Sequence, residues 1–165
     1  MKKKTTLYIT RSALIAALYV TFTYVSSLFG LSSGAIQFRI SEMLCILPIF
    51  FPEAILGLTI GCFLANLVTA SVIWDIIFGT LATLIGGIGA YLLRKLPSKL
   101  IFLASVPTIL ANALIVPFVI IYAYGAQDAY IYLVMTVGIG ELVCAGIMGT
   151  VLYYSLNKAK IIRKL

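Results

Sequence analysis

Of the 165 residues, 62% are hydrophobic and 10% are charged, whereas a soluble domain of this size carries about a quarter charged residues. This composition predicts an all-α integral membrane protein, multi-pass in a cell membrane, with no soluble nucleotide-binding or catalytic domain. There is no G-x-x-x-x-G-K-[ST] phosphate loop. The chain has no histidine, the usual zinc ligand and general base at neutral pH, so no catalytic residue, metal site or cofactor is expected.

The formal net charge of +7 does not point to nucleic acid. The basic residues form three clusters: Lys2, Lys3, Lys4 and Arg11; Arg94, Lys95 and Lys99; Lys158, Lys160, Arg163 and Lys164. Each edges an apolar segment, as in cytoplasmic loops. Arg39 is the exception.

The chain reads as a single transmembrane domain over residues 1–165 with six helices. The first spans about 11–29, without signal-peptide cleavage, and a Gly/Ser stretch follows from Gly30 to Gly34. A long apolar stretch broken near Pro48, Phe51, Pro52 and Glu53 divides into helices at about 40–51 and 53–71. The remaining helices are expected at about 75–93, 100–122 and 130–156. Six spans put both termini and the Arg94–Lys99 turn on one side, the cytoplasmic one by the positive-inside bias. No internal repeat of the inverted-transporter kind is visible.

Glu141 lies in an apolar run, and a carboxylate near the bilayer centre costs roughly 3 kcal/mol on the gentlest scale. At 1.5 Å of rise per residue, Glu42, Asn66, Asp75, Asn112 and Glu141, from five helices, all fall between the midplane and the outer surface. Converging polar groups in an apolar setting describe a small-molecule site, here opening outward. Other roles stay open: Asp75 as a helix cap, Glu42 as the partner of Arg39 three residues earlier, Asn66 and Asn112 as interhelical ties. Around the outer loops, Gln37 and Phe38 are candidates for a lid, and Phe38 and Trp74 for stacking on a flat heterocycle. Cys45, Cys62 and Cys144 lack metal-type spacing and read as small hydrophobes. Small residues four apart, at Ala13/Ala17, Gly57/Gly61, Ala82/Gly86 and Ala145/Gly149, mark close helix contacts.

The stretches QFRISEMLCILPIFFPEAILGL (37–58), GCFLANL (61–67), WDIIFGTLATLIGG (74–87) and GELVCAGIMG (140–149) together resemble the QueT family. That family belongs to the substrate-binding S-components of energy-coupling-factor (ECF) transporters. The A-x-x-x-A at 13–17 is similar to the alanine motif by which such subunits dock. The resemblance implies capture of a queuosine precursor, a 7-deazaguanine such as 7-aminomethyl-7-deazaguanine. Partners would be a transmembrane coupling protein and two ATPase subunits. Glu141 would accept from the guanine edge, with Glu42 or Asp75 facing the ammonium. The alternative is an S-component for riboflavin, thiamine or folate, although folate would need more positive charge than Arg39 offers.

Overall fold

A computed structural model describes residues 2–31, 37–69 and 72–159. Outside them lie the rest of the Gly/Ser stretch (32–34), residues 70 and 71 of the third expected helix, and Lys160, Arg163 and Lys164. The side chains of Lys2 and Lys3 are likewise not described.

The described residues form six helices: α1 (Lys2–Leu28), α2 (Ile40–Ile49), α3 (Ala54–Val68), α4 (Ile73–Leu92), α5 (Ser98–Tyr124) and α6 (Tyr130–Lys158). The described residues contain no strand. Four of the helices are long and apolar enough to cross a membrane, while α2 and α3 are shorter apolar helices. The chain is an all-α, multi-pass membrane protein. Helix α1 starts well before residue 11, because nothing in the polar Lys2–Thr10 stretch breaks a helix.

Helix α2 is a 3₁₀ helix with Pro48 inside it. Proline has no N–H to give to the helix ladder, and the tighter coil eclipses side chains at i and i+3. Helix α5 begins as 3₁₀ (Ser98–Ser105) and continues as α from Val106. Helix α6 widens into a π-helical segment, Leu142–Met148, directly after Glu141.

Glycines set how close the helices come. A Cβ on Gly57 would lie 2.6 Å from the Ser12 carbonyl oxygen, and one on Gly61 would lie 2.8 Å from Tyr19 Cβ, so α1 and α3 meet nearly backbone to backbone. Gly86 of α4 takes Thr108 of α5, with a Cβ position 2.5 Å from the Thr108 hydroxyl oxygen. Three of the four small-residue pairs thus contact helices of this same chain. Ala13 and Ala17 do not: both are exposed, while their neighbours Ser12, Ile15 and Ala16 are buried against the bundle.

The bundle has two distinct ends. At one, Arg11 pairs with Glu53 at 2.8 Å and Ser12 donates to the Glu53 carbonyl at 3.0 Å. Tyr154 donates to the Ser98 carbonyl there at 2.7 Å. Arg94, Lys95, Lys99 and Lys158 adjoin this basic end. Arg39, the start of α4 and the end of α5 form the other.

Candidate functional site

Helix α1 carries a polar stripe toward the bundle, Ser12, Tyr19, Thr23 and Ser26, all buried. Thr23 donates to the Ser41 hydroxyl at 2.8 Å, and the Ser26 hydroxyl accepts the Ile40 N–H at 3.1 Å. The stripe thereby satisfies the start of α2, whose first backbone donors have no intrahelical partner. Tyr19 sits deeper, 1% exposed, and its hydroxyl donates to Glu42 Oε1.

Glu42 is 2% exposed. Its second oxygen accepts the Cys45 thiol at 3.1 Å. The i, i+3 eclipse of the 3₁₀ helix stacks these two side chains. Each carboxylate oxygen therefore already has a donor.

Arg39 does not pair with Glu42. It lies just ahead of α2 in extended backbone (φ −94°, ψ 97°), so no helical i, i+3 face joins the two. Its guanidinium instead crosses to Asp75 Oδ2 on α4 at 3.6 Å. Tyr124, at the end of α5, donates to the same Oδ2 at 3.3 Å, and its hydroxyl accepts the Val72 N–H at 3.3 Å. The Asp75 carboxylate is used in this cross-link between α4, α5 and the chain entering α2.

Asn66 ties α3 to α4, donating to the Asp75 carbonyl at 3.2 Å. Asn112 donates within α5 to the Thr108 carbonyl at 3.2 Å and lies near Glu141. Glu141, at the end of the α-helical part of α6, is 7% exposed and lies within electrostatic range of Glu42 and Arg39. Its Oε2 is buried without a hydrogen-bond partner, as is Arg39 Nε. A buried acceptor without a partner costs about 1–3 kcal/mol, more when charged.

Gln37 and Phe38 lie beside this group. The Phe38 N–H donates to the Leu31 carbonyl at 2.7 Å. The Gln37 carbonyl oxygen occupies the space where a Cβ on Gly140 would stand, which puts the strap 37–39 directly against the turn preceding Glu141.

Buried Glu42, Asn66, Asp75, Asn112 and Glu141 all lie in this region, with Arg39 and the Gln37–Phe38 strap beside them. Trp74 stands apart. It is 53% exposed and lines an apolar groove of about 590 Å³ between α4 and α5, with Phe78, Leu114, Phe118 and Tyr122. Tyr19 and Cys45 join the cluster through Glu42, beyond the residues expected from the sequence. The Tyr19 signal was legible: Ser12, Tyr19, Thr23 and Ser26 recur at helical intervals of seven, four and three residues. Among the described residues, no group of three or more acidic or cysteine side chains is placed to hold a metal ion.

Helices packed around a buried polar group at one end, four of them long and apolar enough to cross a membrane, define a multi-pass membrane protein with a polar interior. Residues 9–158 match the QueT transporter family, and the chain belongs to that family. A relative in Lactococcus lactis subsp. cremoris, named "Queuosine precursor transporter QueT", is 42% identical over 85 residues, 52% of this chain. The matched region spans 50% of that relative's length. No solved structure matches the chain.

Proposed function

We propose that this chain is the substrate-capture subunit, the S-component, of an ECF-type uptake transporter, and that it binds a 7-deazaguanine precursor of queuosine. The family membership and the relative's name support the substrate class. The observation that carries the site assignment is the buried, unpartnered Oε2 of Glu141, with the Asn112 amide beside it. A guanine-like edge presents ring N–H and amino donors side by side, which one carboxylate accepts as a pair. Asn112 both donates and accepts, and so can serve the ring carbonyl and nitrogens. Three carboxylates against Arg39, itself engaged by Asp75, make the region a poor host for an anion such as folate.

In this reading both termini lie in the cytoplasm, where the basic end of the bundle belongs, and the strap 37–39 is the outer cover of the site. Ala13 and Ala17, exposed on α1 while the other small-residue pairs are used internally, form the face that docks on a transmembrane coupling protein. That protein and two ATPase subunits supply the energy, and this chain supplies selectivity.

Glu141→Gln tests the assignment. With purified protein in detergent, calorimetric titration with 7-aminomethyl-7-deazaguanine is expected to show affinity falling about 10- to 100-fold, the worth of a hydrogen bond to a charged group. Full affinity in the variant overturns the role given to Glu141.

A further inference from the structure

The charged groups around the site are unevenly matched. Among the described residues, Arg39 is the one basic side chain at this end of the bundle, and Asp75 holds it. Glu42 and Glu141, both buried and within electrostatic range of each other, have no cation of their own. They differ in their hydrogen bonds. Glu141 keeps an open oxygen, whereas Glu42 accepts from Tyr19 on one oxygen and from Cys45 on the other. A carboxylate with both oxygens accepting is in its acceptor-only form.

Resting on the capture reading above, we propose that Glu42, held by Tyr19 and Cys45, sets the charge selectivity of the site without touching the ligand. It acts as a fixed negative charge that favours a positively charged ligand over a neutral one of the same shape. Glu141 makes the direct contact. Tyr19 is a positioning residue: its Cβ lies against the Gly61 backbone, and its hydroxyl reaches from α1 to Glu42.

The geometry explains why this role falls to Glu42. The 3₁₀ coil of α2 places Cys45 over Glu42, and the absent Cβ at Gly61 lets α1 approach closely at Tyr19, whose hydroxyl completes the pair of donors. A charge held this way acts through space. At an effective permittivity of about 20, a unit charge within ~10 Å changes the affinity of a cation by roughly tenfold.

The test compares two probes with the same ring system, 7-aminomethyl-7-deazaguanine, which carries an ammonium, and its neutral 7-cyano counterpart. Affinities are measured by titration calorimetry on the full chain. The parent protein is expected to prefer the amine by roughly tenfold or more. Glu42→Gln should erase that preference by weakening the amine alone, leaving the nitrile affinity unchanged. Tyr19→Phe keeps the ring and the fold but removes the hydroxyl, and should move the ratio in the same direction. A structural defect weakens both ligands together, so the ratio separates the two explanations. Equal weakening of both ligands in Glu42→Gln, or an unchanged ratio in both variants, overturns the inference and leaves the capture reading standing. Failure of the parent protein to bind either probe overturns the capture reading itself, and the inference with it.

Discussion

Gly140→Ala puts a methyl group where the Gln37 carbonyl oxygen already is. The obstacle is backbone, so no rotamer change relieves it. Nor is the strap free to retreat. The Phe38 N–H is bonded to the Leu31 carbonyl at 2.7 Å, and Arg39 is bound to Asp75 at 3.6 Å. Overpacking of this kind costs about 1–3 kcal/mol, and each kcal/mol lowers the melting temperature of a chain this long by roughly 2–4 °C. The strap borders Glu141, so its displacement also weakens capture, by about tenfold for each ~1.4 kcal/mol lost from binding. Thermal unfolding in detergent and titration with 7-aminomethyl-7-deazaguanine read the two effects separately. Gly138→Ala, two residues earlier, is the control. Its Cβ would meet the Ala113 Cβ at 3.7 Å, an ordinary contact, and alanine gains about 0.5–1 kcal/mol over glycine inside a helix. If Gly140→Ala melts and binds like the parent, the strap does not rest on α6 as argued here.

Two further perturbations probe the packing that holds the site. Gly86→Ala is expected to lower the melting temperature by several degrees, because its Cβ would lie 2.5 Å from the Thr108 hydroxyl oxygen and 2.8 Å from Thr108 Cα. The adjacent Gly87→Ala, with nothing nearer than 3.8 Å, should be neutral or slightly stabilising in the same melt. At the basic end, Arg11→Leu strands the Glu53 carboxylate, whose side chain is 10% exposed, and should destabilise by about 1–3 kcal/mol. The double variant with Glu53→Leu is expected to recover most of that loss, and equal melts for the single and double variants would refute the pairing argument.

The helices were legible because apolar length is additive along the chain and needs no knowledge of neighbours. The expensive polar residues were legible for the same reason: Glu42, Asp75 and Glu141 are conspicuous wherever they point. Their partners were less so. Arg39 and Glu42 are three apart and read as a helical pair, but Arg39 stands in extended backbone ahead of the 3₁₀ helix and turns to a residue 36 positions away. Cys45 read as a small hydrophobe because a thiol is a weak donor, and only the 3₁₀ eclipse sets it on Glu42. Trp74 read as a stacking platform because it precedes Asp75, yet successive residues on a helix face about 100° apart. The same turn that buries Asp75 therefore sends the indole to the apolar flank.

These local choices fix the electrostatics of the whole region. Had Arg39 paired with Glu42, Asp75 would have been the surplus charge, near the mouth of the site and beside Tyr124. Because Arg39 crosses to Asp75, the surplus lies deeper, on Glu42 and Glu141. One of these is closed off by Tyr19 and Cys45, and the other keeps an open oxygen. In the capture reading proposed above, a ligand with a donor edge and a positive charge would meet both at once, the edge on Glu141 and the charge in the field of Glu42. A neutral ligand of the same shape would use only the first.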